Sequence, residues 1–494
     1  PGAYEFSPPS GDAAMTGFIL PPIPHCANTL DVQFELTNAG GDPLNSVTIN
    51  WTVNGVPQTP VNWTGPSLPP GLSTIVTLGT VPVTGSNMYN FSATSSNPNG
   101  GPDSNPANDS YTYNGFRRGF EGAFTINVAA PASATNFQTF QNIANALSQH
   151  GVCSPVNITV MNGSYFEQVV FNAIPGTSPV NTVTLNGNNQ VLEFNPTVAT
   201  SDHILQLNGV THMIVENLRV TSLHLTQGRG IHITNGASKL AIRNNIVNVS
   251  LTNSTSSAFG IIISGANWLL DGSLSDSVII ENNTVSGGYS AIQLSGVHWT
   301  QPLTRISVIN NNVLDWYGFG VYLSYTNGAI VSKNTIRRPL RSNSGSDAVT
   351  PAGITVPAGS LTFLLEKNRI YDLHVNMPGT STISRGVHMS GTTTAPTSGT
   401  IQNNLIYGMN NDGAQYGIQN NSVTGPVNIY HNTIVLNNAT GAGTSNTNAI
   451  NLSNTTVQNG IDMRNNIFIV TRGGAGVKRI YDVSATSAPF ISDY

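Results

Sequence analysis

Arg243-Asn-Asn-Ile-Val247 introduces a motif that recurs through the second half of the chain, an Asn followed two residues later by an apolar residue. A looser first copy is Glu216-Asn-Leu-Arg-Val220, and the last copy is Arg464-Asn-Asn-Ile-Phe468. The Asn positions that define the copies are Asn217, Asn245, Asn283, Asn312, Asn334, Asn368, Asn404, Asn432 and Asn466. Internal repeats are the sequence signature of stacked architectures, so this motif decides the fold.

A second motif lies between successive copies of the first and reads small–apolar–x–apolar–Ser/Thr, as in Gly230-Ile-His-Ile-Thr234 and Gly260-Ile-Ile-Ile-Ser264. Both motifs alternate with a period of two, which predicts short β-strands and excludes helical repeats. Alternate residues of a strand point to one side, so we expect columns of aliphatic side chains inside the fold. The members of these columns include Ile231, Ile233, Ile261, Ile263, Val321 and Leu323.

The spacing of the Asn motifs varies from 22 residues, between Asn312 and Asn334, to 38 residues, between Asn245 and Asn283. One turn of a β-helix with connections of varying length accounts for this range. We therefore predict an all-β chain, built mainly as a right-handed, single-stranded parallel β-helix. Asn tolerates left-handed backbone, so we place it at the corner between sheets, where its amide also bonds its equivalents in neighbouring turns.

These two motifs resemble the parallel β-helix repeat family, the fold of many pectate-lyase-like, surface and secreted proteins. The resemblance covers roughly residues 150–494. It implies the fold strongly and an activity only weakly.

The front of the chain has a different pattern. Asp31-Val-Gln-Phe-Glu-Leu36 and Val47-Thr-Ile-Asn-Trp51 alternate like strands and run into turns. Short strands at this spacing predict an immunoglobulin-type β-sandwich over residues 28–113. The segment resembles the adhesion-type Ig-like modules of bacterial surface proteins, and residues 1–27 are expected to be an N-terminal connecting segment.

One amphipathic helix is expected at residues 139–149. Its apolar positions have helical spacing and are Phe140, Ile143, Ala144 and Leu147. The strand after it ends Gly163-Ser-Tyr-Phe-Glu167, and the pair resembles the N-terminal cap of secreted β-helix proteins, with Ser164 where that cap usually has Thr. A helix laid across the open end of a β-helix covers its apolar surface and its sheet edges.

The wider stretch around this helix resembles large secreted proteins of Bacteroidetes-type bacteria. We therefore expect a linker, the capping helix and the first turns in residues 114–200, and the β-helix in residues 201–494. The final residues read like the opening of another strand, so the β-helix is expected to continue beyond Tyr494.

The amino-acid composition argues against several classes of function. Only 8% of the 494 residues are charged, and the net charge is −5. Nucleic-acid binding needs clustered Lys and Arg and is not expected. No apolar run reaches the roughly 18 residues of a membrane helix. We expect an extracellular or cell-surface protein whose partners are other surface proteins or glycans, with a homo-oligomer as one arrangement that suits an appendage.

The two cysteines, Cys26 and Cys153, cannot form a disulfide framework. A single bridge requires that the two predicted domains touch. The alternative is two buried thiols that pack as small hydrophobic side chains. The sequence leaves both alternatives open.

The predicted β-helix contains few groups of residues that are suited to catalysis or to metal binding. The densest basic region contains Arg337, Arg338 and Arg341, and its ordinary interpretation is a solvated turn. Together with Lys333 and His388, these residues form our alternative catalytic group, since cations neutralise the carboxylate of a uronate substrate. The inserted loop Asp271-Gly-Ser-Leu-Ser-Asp276 is an alternative calcium site, although a plain polar loop fits it better. No cofactor is expected.

An outward strip offers a candidate binding surface. The residue two positions after the small residue of the second motif alternates with the aliphatic columns, so it faces outward. This position holds His232, Ile262, Gln293, Tyr322, Thr355, His388, Gln419 and Asn451. His, Gln, Tyr and Asn suit contacts with sugars or proteins, whereas the simpler interpretation is a solvated sheet face. His232 and His388 are not on adjacent turns, so no shared metal is expected.

The sequence favours a structural or adhesive protein, a segment of a larger surface adhesin or appendage, over an enzyme. The first alternative is a secreted polysaccharide lyase or glycoside hydrolase. The second is a non-catalytic carbohydrate-binding solenoid.

Overall fold

The computed structural model describes residues 11–85, 87–197, 202–252, 254, 256–265, 272–342, 351–357, 359–377, 379–390, 397–421, 425–439, 443–453, 460–483 and 490–492. The chain divides into two compact units. The first extends to Gly122 and includes Ser133–Thr135 and Gln149–Pro155, and the second contains the remaining residues. None of the helices in the described ranges has the length and apolar character needed to span a membrane.

The first unit contains two antiparallel sheets that share one hydrophobic core, which includes Phe34, Trp51 and Phe91. Its strands are β1 (Ala13–Phe18), β2 (Thr29–Asn38), β3 (Leu44–Val53), β4 (Val56–Pro57), β5 (Val61–Leu68), β6 (Ser73–Pro82), β7 (Met88–Ser96) and β8 (Ser110–Arg117), with a 3₁₀ turn at Pro98–Gly100. The first sheet has the order β1-β2-β6 and the second β4-β3-β7-β8, with β5 paired to β3. Strand β1 lies in the stretch expected to be a connecting segment and is instead an edge strand of the first sheet.

The first unit also contains a disulfide between Cys26 and Cys153, whose Cα atoms are 5.5 Å apart. The interpretation of two buried thiols is therefore wrong. The bridge closes a loop of 127 residues. Disulfides persist in oxidising compartments, which bears on where the protein works.

Helix α1 (Phe140–His150) forms as predicted, with Phe140, Ile143, Ala144 and Leu147 buried. Its first backbone N–H groups lack partners within the helix, and the carboxylate of Glu167 accepts from Phe140 N at 2.9 Å and from Gln141 N at 3.1 Å. The Glu at the end of the strand motif thus has a structural role, because a negative charge at a helix N-terminus is favourable.

The rest of the chain is a parallel β-solenoid of about eleven turns, which confirms the predicted fold. Three sheets run along it. Sheet S1 contains β9 (Phe120–Ile126), β10 (Asn136–Phe137), β11 (Val152–Val160), β14 (Val183–Asn186), β17 (Met213–Glu216), β20 (Leu240–Arg243), β23 (Asp276–Glu281), β26 (Leu303–Ile309), β29 (Thr326–Ser332), β32 (Thr362–Glu366), β35 (Ser398–Gln402), β38 (Val427–Tyr430), β41 (Ile461–Arg464) and β44 (Phe490–Ser492).

Among the described residues, sheets S2 and S3 have eleven strands each. Sheet S2 contains β12 (Tyr165–Phe166), β15 (Val191–Phe194), β18 (Arg219–Ser222), β21 (Ile246–Asn248), β24 (Thr284–Ser286), β27 (Asn312–Leu314), β30 (Thr335–Arg337), β33 (Arg369–Ile370), β36 (Leu405–Tyr407), β39 (Thr433–Leu436) and β42 (Ile467–Val470). Sheet S3 contains β13 (Val169–Asn172), β16 (His203–Asn208), β19 (Gly228–Thr234), β22 (Ala258–Ile263), β25 (Ser290–Ser295), β28 (Phe319–Ser324), β31 (Ala352–Pro357), β34 (Ser384–Ser390), β37 (Gln415–Asn420), β40 (Thr447–Leu452) and β43 (Lys478–Val483).

The aliphatic columns lie inside the solenoid as predicted. Ile231 pairs with Ile261, Ile261 with Ile292, and each of these side chains is fully buried. The small residue before each column is required by close packing. A Cβ on Gly230 would lie 2.6 Å from the carbonyl oxygen of Gly260 in the next turn.

The Asn motif forms a ladder at the corner between S1 and S2. Each ladder Oδ1 after the first accepts from the backbone N–H of the preceding turn's Asn at 2.8–3.0 Å. Each Nδ2 before the last donates to the next Oδ1 and to a backbone carbonyl, as Asn245 Nδ2 does to Asn283 Oδ1 and to the carbonyl of Val215. Its members are Asn245, Asn283, Asn311, Asn334, Asn368, Asn404, Asn432 and Asn466. Asn311 therefore replaces the predicted Asn312, which is the first residue of β27. Leu218 occupies this position in the turn of Asn217, where its N–H donates to Asn245.

The residue with the left-handed backbone conformation is not the residue whose side chain forms the ladder. The residue immediately before each ladder position has φ between 53° and 60°. These residues are Asn217, Asn244, Asn282, Asn310, Lys333, Lys367, Asn403, His431 and Asn465. The two properties that the sequence assigned to one Asn are thus divided between neighbours, and only the second position requires an amide.

Candidate functional site

The outward strip predicted on sheet S3 is a continuous column in register. Gln206 pairs with His232, Tyr322 with Thr355, and Asn451 with Asp482, so the column runs beyond the predicted strip in both directions. It is only partly solvated, because His232 is 0% exposed and Gln419 only 5%, whereas Tyr322 and His388 are half-buried. Buried polar side chains need partners, and Gln206, His232, Gln419 and Asn451 find them along the axis of the solenoid.

An ion pair lies at one end of this face. Asp202 Oδ1 is 2.8 Å from Arg229 Nε, and both side chains are at most 4% exposed. Burial raises the pKa of Asp202 to about 6, although the guanidinium of Arg229 acts in the opposite direction. Burial and the same guanidinium lower the pKa of the neighbouring His203 to about 4. The result is a carboxyl group that takes up a proton near neutral pH beside an imidazole that does not.

The contacts of His232 determine its tautomer. Gln206 Nε2 lies 3.0 Å and Arg229 Nη1 lies 3.3 Å from Nδ1, and both can only donate. Nδ1 is therefore the acceptor and Nε2 carries the proton, which it donates to Ser264 Oγ at 3.0 Å. The Ser264 hydroxyl in turn donates to the carbonyl of Gly265 at 3.0 Å. His232 thus cannot take a proton from Ser264, which excludes a Ser–His nucleophile here.

We expect a pH-dependent stability that depends on His232. Burial lowers the pKa of this imidazole from 6.5 to about 3. As pH falls below 6.5, the unfolded chain binds a proton at this position and the folded protein does not, so stability is lost with falling pH. In the variant His232→Gln, this loss is absent. As the pH falls from 6 to 4, the free energy of unfolding of the variant minus that of the wild type should increase by about 1.4 kcal/mol for each pH unit. Urea denaturation at several pH values measures both free energies.

The matched control for this prediction is His298→Gln, since His298 is exposed and the variant removes a histidine without opening the interior. A wild type and a His232→Gln variant with parallel pH profiles would contradict a neutral, buried His232.

Aromatic rings occupy the middle of the same face. The ring centroid of Tyr289 lies 6.0 Å from that of Tyr317 and 5.7 Å from that of Phe319. Phe319 is 4.8 Å from Tyr322 of the outward column. Tyr289, Phe319 and Tyr322 are half-buried, so part of each ring meets solvent. Partly exposed aromatic rings beside polar groups are typical of ligand-binding surfaces.

A second polar cluster lies at the far end of the face. Arg385 Nε bonds Gln419 Oε1, and Gln419 Nε2 donates to Asn451 Oδ1 at 2.9 Å. Asn451 Nδ2 donates to Asp482 Oδ2 at 3.1 Å. Burial lowers the pKa of Arg385 to about 10, and burial together with Arg385 lowers the pKa of His388 to about 3. This network ties four consecutive turns together.

Sequence reasoning missed Asp202, Arg229 and Arg385. A signal for the arginines was present, because Arg229-Gly-Ile-His232 and Arg385-Gly-Val-His388 share one pattern in the second motif. Residues three apart point to opposite faces of a regular strand, so this pattern alone does not predict that Arg229 Nη1 lies 3.3 Å from His232 Nδ1. Asp202 had no such signal, because it comes from the turn before β16.

The alternative catalytic group does not come together. Lys333 is exposed at a corner with φ of 60°. Arg337 faces outward on S2, its Cζ 5.7 Å from the ring centroid of Tyr371. His388 belongs to the outward column of S3, where Asn421 Nδ2 is 3.4 Å from its Nε2.

Arg338 and Arg341 are buried, which corrects the interpretation of a solvated turn. Arg338 Nε donates to the carbonyl of Trp316 at 2.9 Å and Nη1 to that of Leu373 at 3.2 Å. Arg341 Nη1 donates to the carbonyl of Asp315 at 3.2 Å. Stacked turns leave carbonyl groups inside, and a guanidinium has five donors to satisfy them. Burial lowers the pKa of Arg338 to about 9.

The alternative calcium loop is only partly visible, since Asp271 lies outside the described residues. Asp276 is already engaged, because Thr304 Oγ1 donates to Oδ1 at 2.7 Å and Arg305 Nη2 contacts Oδ2. Within the described ranges, no three His, Cys, Asp or Glu side chains are grouped as metal ligands.

The fold and this face define a parallel β-solenoid protein with a buried polar column and an aromatic centre on one sheet. No family model and no curated protein matches the chain.

Solved structures with a similar architecture include three carbohydrate-active enzymes. The GH136 lacto-N-biosidase from Eubacterium ramulus has a TM-score of 0.43 at 12% identity over 75% of this chain and 68% of that chain. DFA-IIIase from Arthrobacter chlorophenolicus A6 without its lid, in complex with GF2, has 0.40 at 11% over 74% and 91%. The family 28 exopolygalacturonase of Yersinia enterocolitica has 0.23 at 9% over 97% and 99%. Similarity at this level describes the fold alone.

Proposed function

We propose that this protein is an extracellular carbohydrate-active β-solenoid whose saccharide lies over the outward face of sheet S3. One observation carries the proposal: an acid of raised pKa, Asp202, occupies the same face as the half-buried rings of Tyr289, Phe319 and Tyr322. The desolvation of these ionisable groups costs free energy, and unlike Arg338 and Arg341 they lie on the same face as partly exposed aromatic rings.

The chemistry of the face suits a saccharide. Aromatic rings provide apolar area for the C–H faces of sugar rings, and the amides and imidazoles beside them provide donors and acceptors for hydroxyl groups. Hydrolysis of a glycosidic bond needs a proton donor to the leaving oxygen and a second carboxylate that activates water or acts as the nucleophile, and an acid with a pKa of about 6 suits the first of these two roles. Asp202 is accordingly our candidate general acid.

The disulfide between Cys26 and Cys153 supports the extracellular location, because such bridges are rare in reducing compartments. The adhesive role expected from the sequence stays a prediction, and the buried ionisable groups of S3 favour the carbohydrate function over it.

The test combines turnover and binding on a panel of pectin, alginate and neutral glucans, with detection of reducing ends and of unsaturated products. The variant Asp202→Asn should lose about 10²- to 10⁴-fold in turnover. The variant Tyr322→Ala should weaken binding about tenfold through lost ring contact. Because deprotonation of Asp202 removes the acid, wild-type turnover should fall as pH rises above about 6.

The matched control is Glu216→Gln. Glu216 Oε2 pairs with Arg243 Nε at 2.8 Å on neighbouring sheet S1, so this variant breaks an ion pair of the same length, although a more exposed one, away from the S3 face. Equal losses in the two variants, or neither binding nor product on the whole panel, would sink the proposal. The pH profile decides the role of Asp202 even if its variant folds poorly.

A further inference from the structure

Sheet S2 carries a second group of aromatic and cationic side chains, on a face that the proposed saccharide site does not use. The rings of Tyr371 and Tyr407 stack with centroids 4.8 Å apart and planes 2° apart. Arg337 Cζ lies 5.7 Å and Arg369 Cζ 5.4 Å from the Tyr371 centroid. Arg369 Nη2 donates to the Tyr407 hydroxyl at 3.1 Å. We call these four residues the S2 patch.

The S2 patch faces outward. Ile336, Ile370 and Ile406, the strand neighbours of its residues, are fully buried in the core, so alternate residues point away from it. Arg369 is exposed, and Arg337 and the two tyrosines are half-buried. The stacked rings hold the two guanidinium groups at fixed positions, which lowers the entropy that a ligand must remove to bind them.

The local charge is opposite to that of the whole chain. Lys333 and Lys367 lie at the corners directly before β30 and β33, beside Arg337 and Arg369. The carboxylates closest in sequence are Glu366 and Asp372. Four cations and two carboxylates leave two positive charges here, in a chain of net charge −5. With the buried Arg338 and Arg341, six of its 18 basic residues fall on two adjacent turns.

The patch also has donors without acceptors. Glu366 is occupied, since Ser332 Oγ and Gln402 Nε2 donate to it at 3.1 and 3.0 Å and Lys367 Nζ is 3.8 Å away. Among the described residues, the guanidinium of Arg337 has a ring contact but no hydrogen-bond acceptor, and its Nε is shielded from solvent. A planar guanidinium pairs best with a carboxylate or a sulfate.

We propose that the S2 patch binds an anionic polysaccharide, one that bears carboxylate or sulfate groups, and holds the protein on it. The arginines pair with the anionic groups, and the edges of the tyrosine rings contact the sugar. Neighbouring turns are about 4.8 Å apart, so an extended chain lying along the solenoid meets Arg337 and Arg369 in succession. This site is separate from the S3 face, and its function does not depend on turnover there.

The test compares the full chain with the double variant Arg337→Gln/Arg369→Gln in binding to polygalacturonate, dextran sulfate and neutral dextran. Affinity for the charged polymers should fall about tenfold in the variant, since each exposed ion pair contributes little alone. The wild-type affinity should decrease with added salt, and neutral dextran should not bind. Loss with polygalacturonate alone assigns carboxylates, and loss with dextran sulfate alone assigns sulfates.

The matched control is Arg219→Gln, because Arg219 belongs to the same outward column of S2 as Arg369 but lies five turns away from Tyr371 and six from Tyr407. A second variant, Tyr407→Phe, keeps the stacked rings and removes the hydroxyl that accepts from Arg369. The proposal would be overturned if the wild type and the double variant had equal affinity, or if Arg219→Gln lost as much affinity as the double variant. It would also be overturned if duplex DNA bound the wild type as strongly as the charged polysaccharides do and lost the same affinity in the double variant. Turnover on the S3 panel should be unchanged in the double variant, which separates the two sites.

Discussion

The variant Asn311→Ala is expected to lower the free energy of unfolding of the solenoid by about 3–6 kcal/mol, on the basis of two or more buried polar groups left without partners. Asn311 Oδ1 accepts from the backbone N–H of Asn283 at 2.9 Å and from its Nδ2 at 3.0 Å. Asn311 Nδ2 donates to the carbonyl of Ile280 at 2.9 Å and to Asn334 Oδ1 at 3.0 Å. Alanine removes these bonds at a position that water does not reach.

The neighbouring residue supplies the control. Asn312→Ala changes the same residue type on a half-buried strand position outside the ladder, and we expect a loss below about 1 kcal/mol. Urea denaturation followed by circular dichroism measures both variants. If Asn312→Ala were the more damaging substitution, the ladder would lie one residue further along, as the sequence suggested.

Removal of the disulfide is expected to have a comparable effect on the first unit. A cross-link stabilises chiefly by restricting the unfolded chain, and closure of a loop of 127 residues corresponds to about 5 kcal/mol. The double variant Cys26→Ser/Cys153→Ser should therefore unfold at lower urea than the oxidised wild type. Trp51 and Trp63 of the first unit are two of the chain's five tryptophans, so the fluorescence transition that differs between the two proteins reports the unfolding of this unit.

Two comparisons sharpen this second prediction. Wild type treated with dithiothreitol should unfold like the double variant, and the double variant should not respond to the reductant. Identical midpoints for the oxidised wild type and the double variant would show that the cross-link adds no stability to the folded unit.

Much of the fold was accessible from sequence because its determinants are periodic. The alternation of Ile231, His232 and Ile233 settles which side chain is inside without any knowledge of the connections. The ladder was harder to place. Residues 310, 311 and 312 are all Asn, so the residue type does not show which of them joins the ladder. Asn217 has the left-handed backbone conformation but is not a member of the ladder. Lys333-Asn334 and His431-Asn432 contain the answer, because there only the second residue carries an amide.

The site was less accessible, since burial on the outer face depends on contacts that no local pattern encodes. The register of the outward column follows from the strands, but the complete burial of His232 does not. In the same way, Arg338 appeared solvated in the sequence, because the carbonyls that it bonds belong to residues 22 and 35 positions away.

The corner between S1 and S2 has a consequence for how such proteins change over time. Successive rungs of the ladder are separated by as few as 23 and as many as 38 residues, yet the hydrogen-bond geometry at each rung is the same. Insertions and deletions in the other connections are therefore absorbed without shifting the register. Natural variation, or the grafting of a peptide by design, can therefore change the loops of this protein while the stacked strands of the solenoid keep their positions.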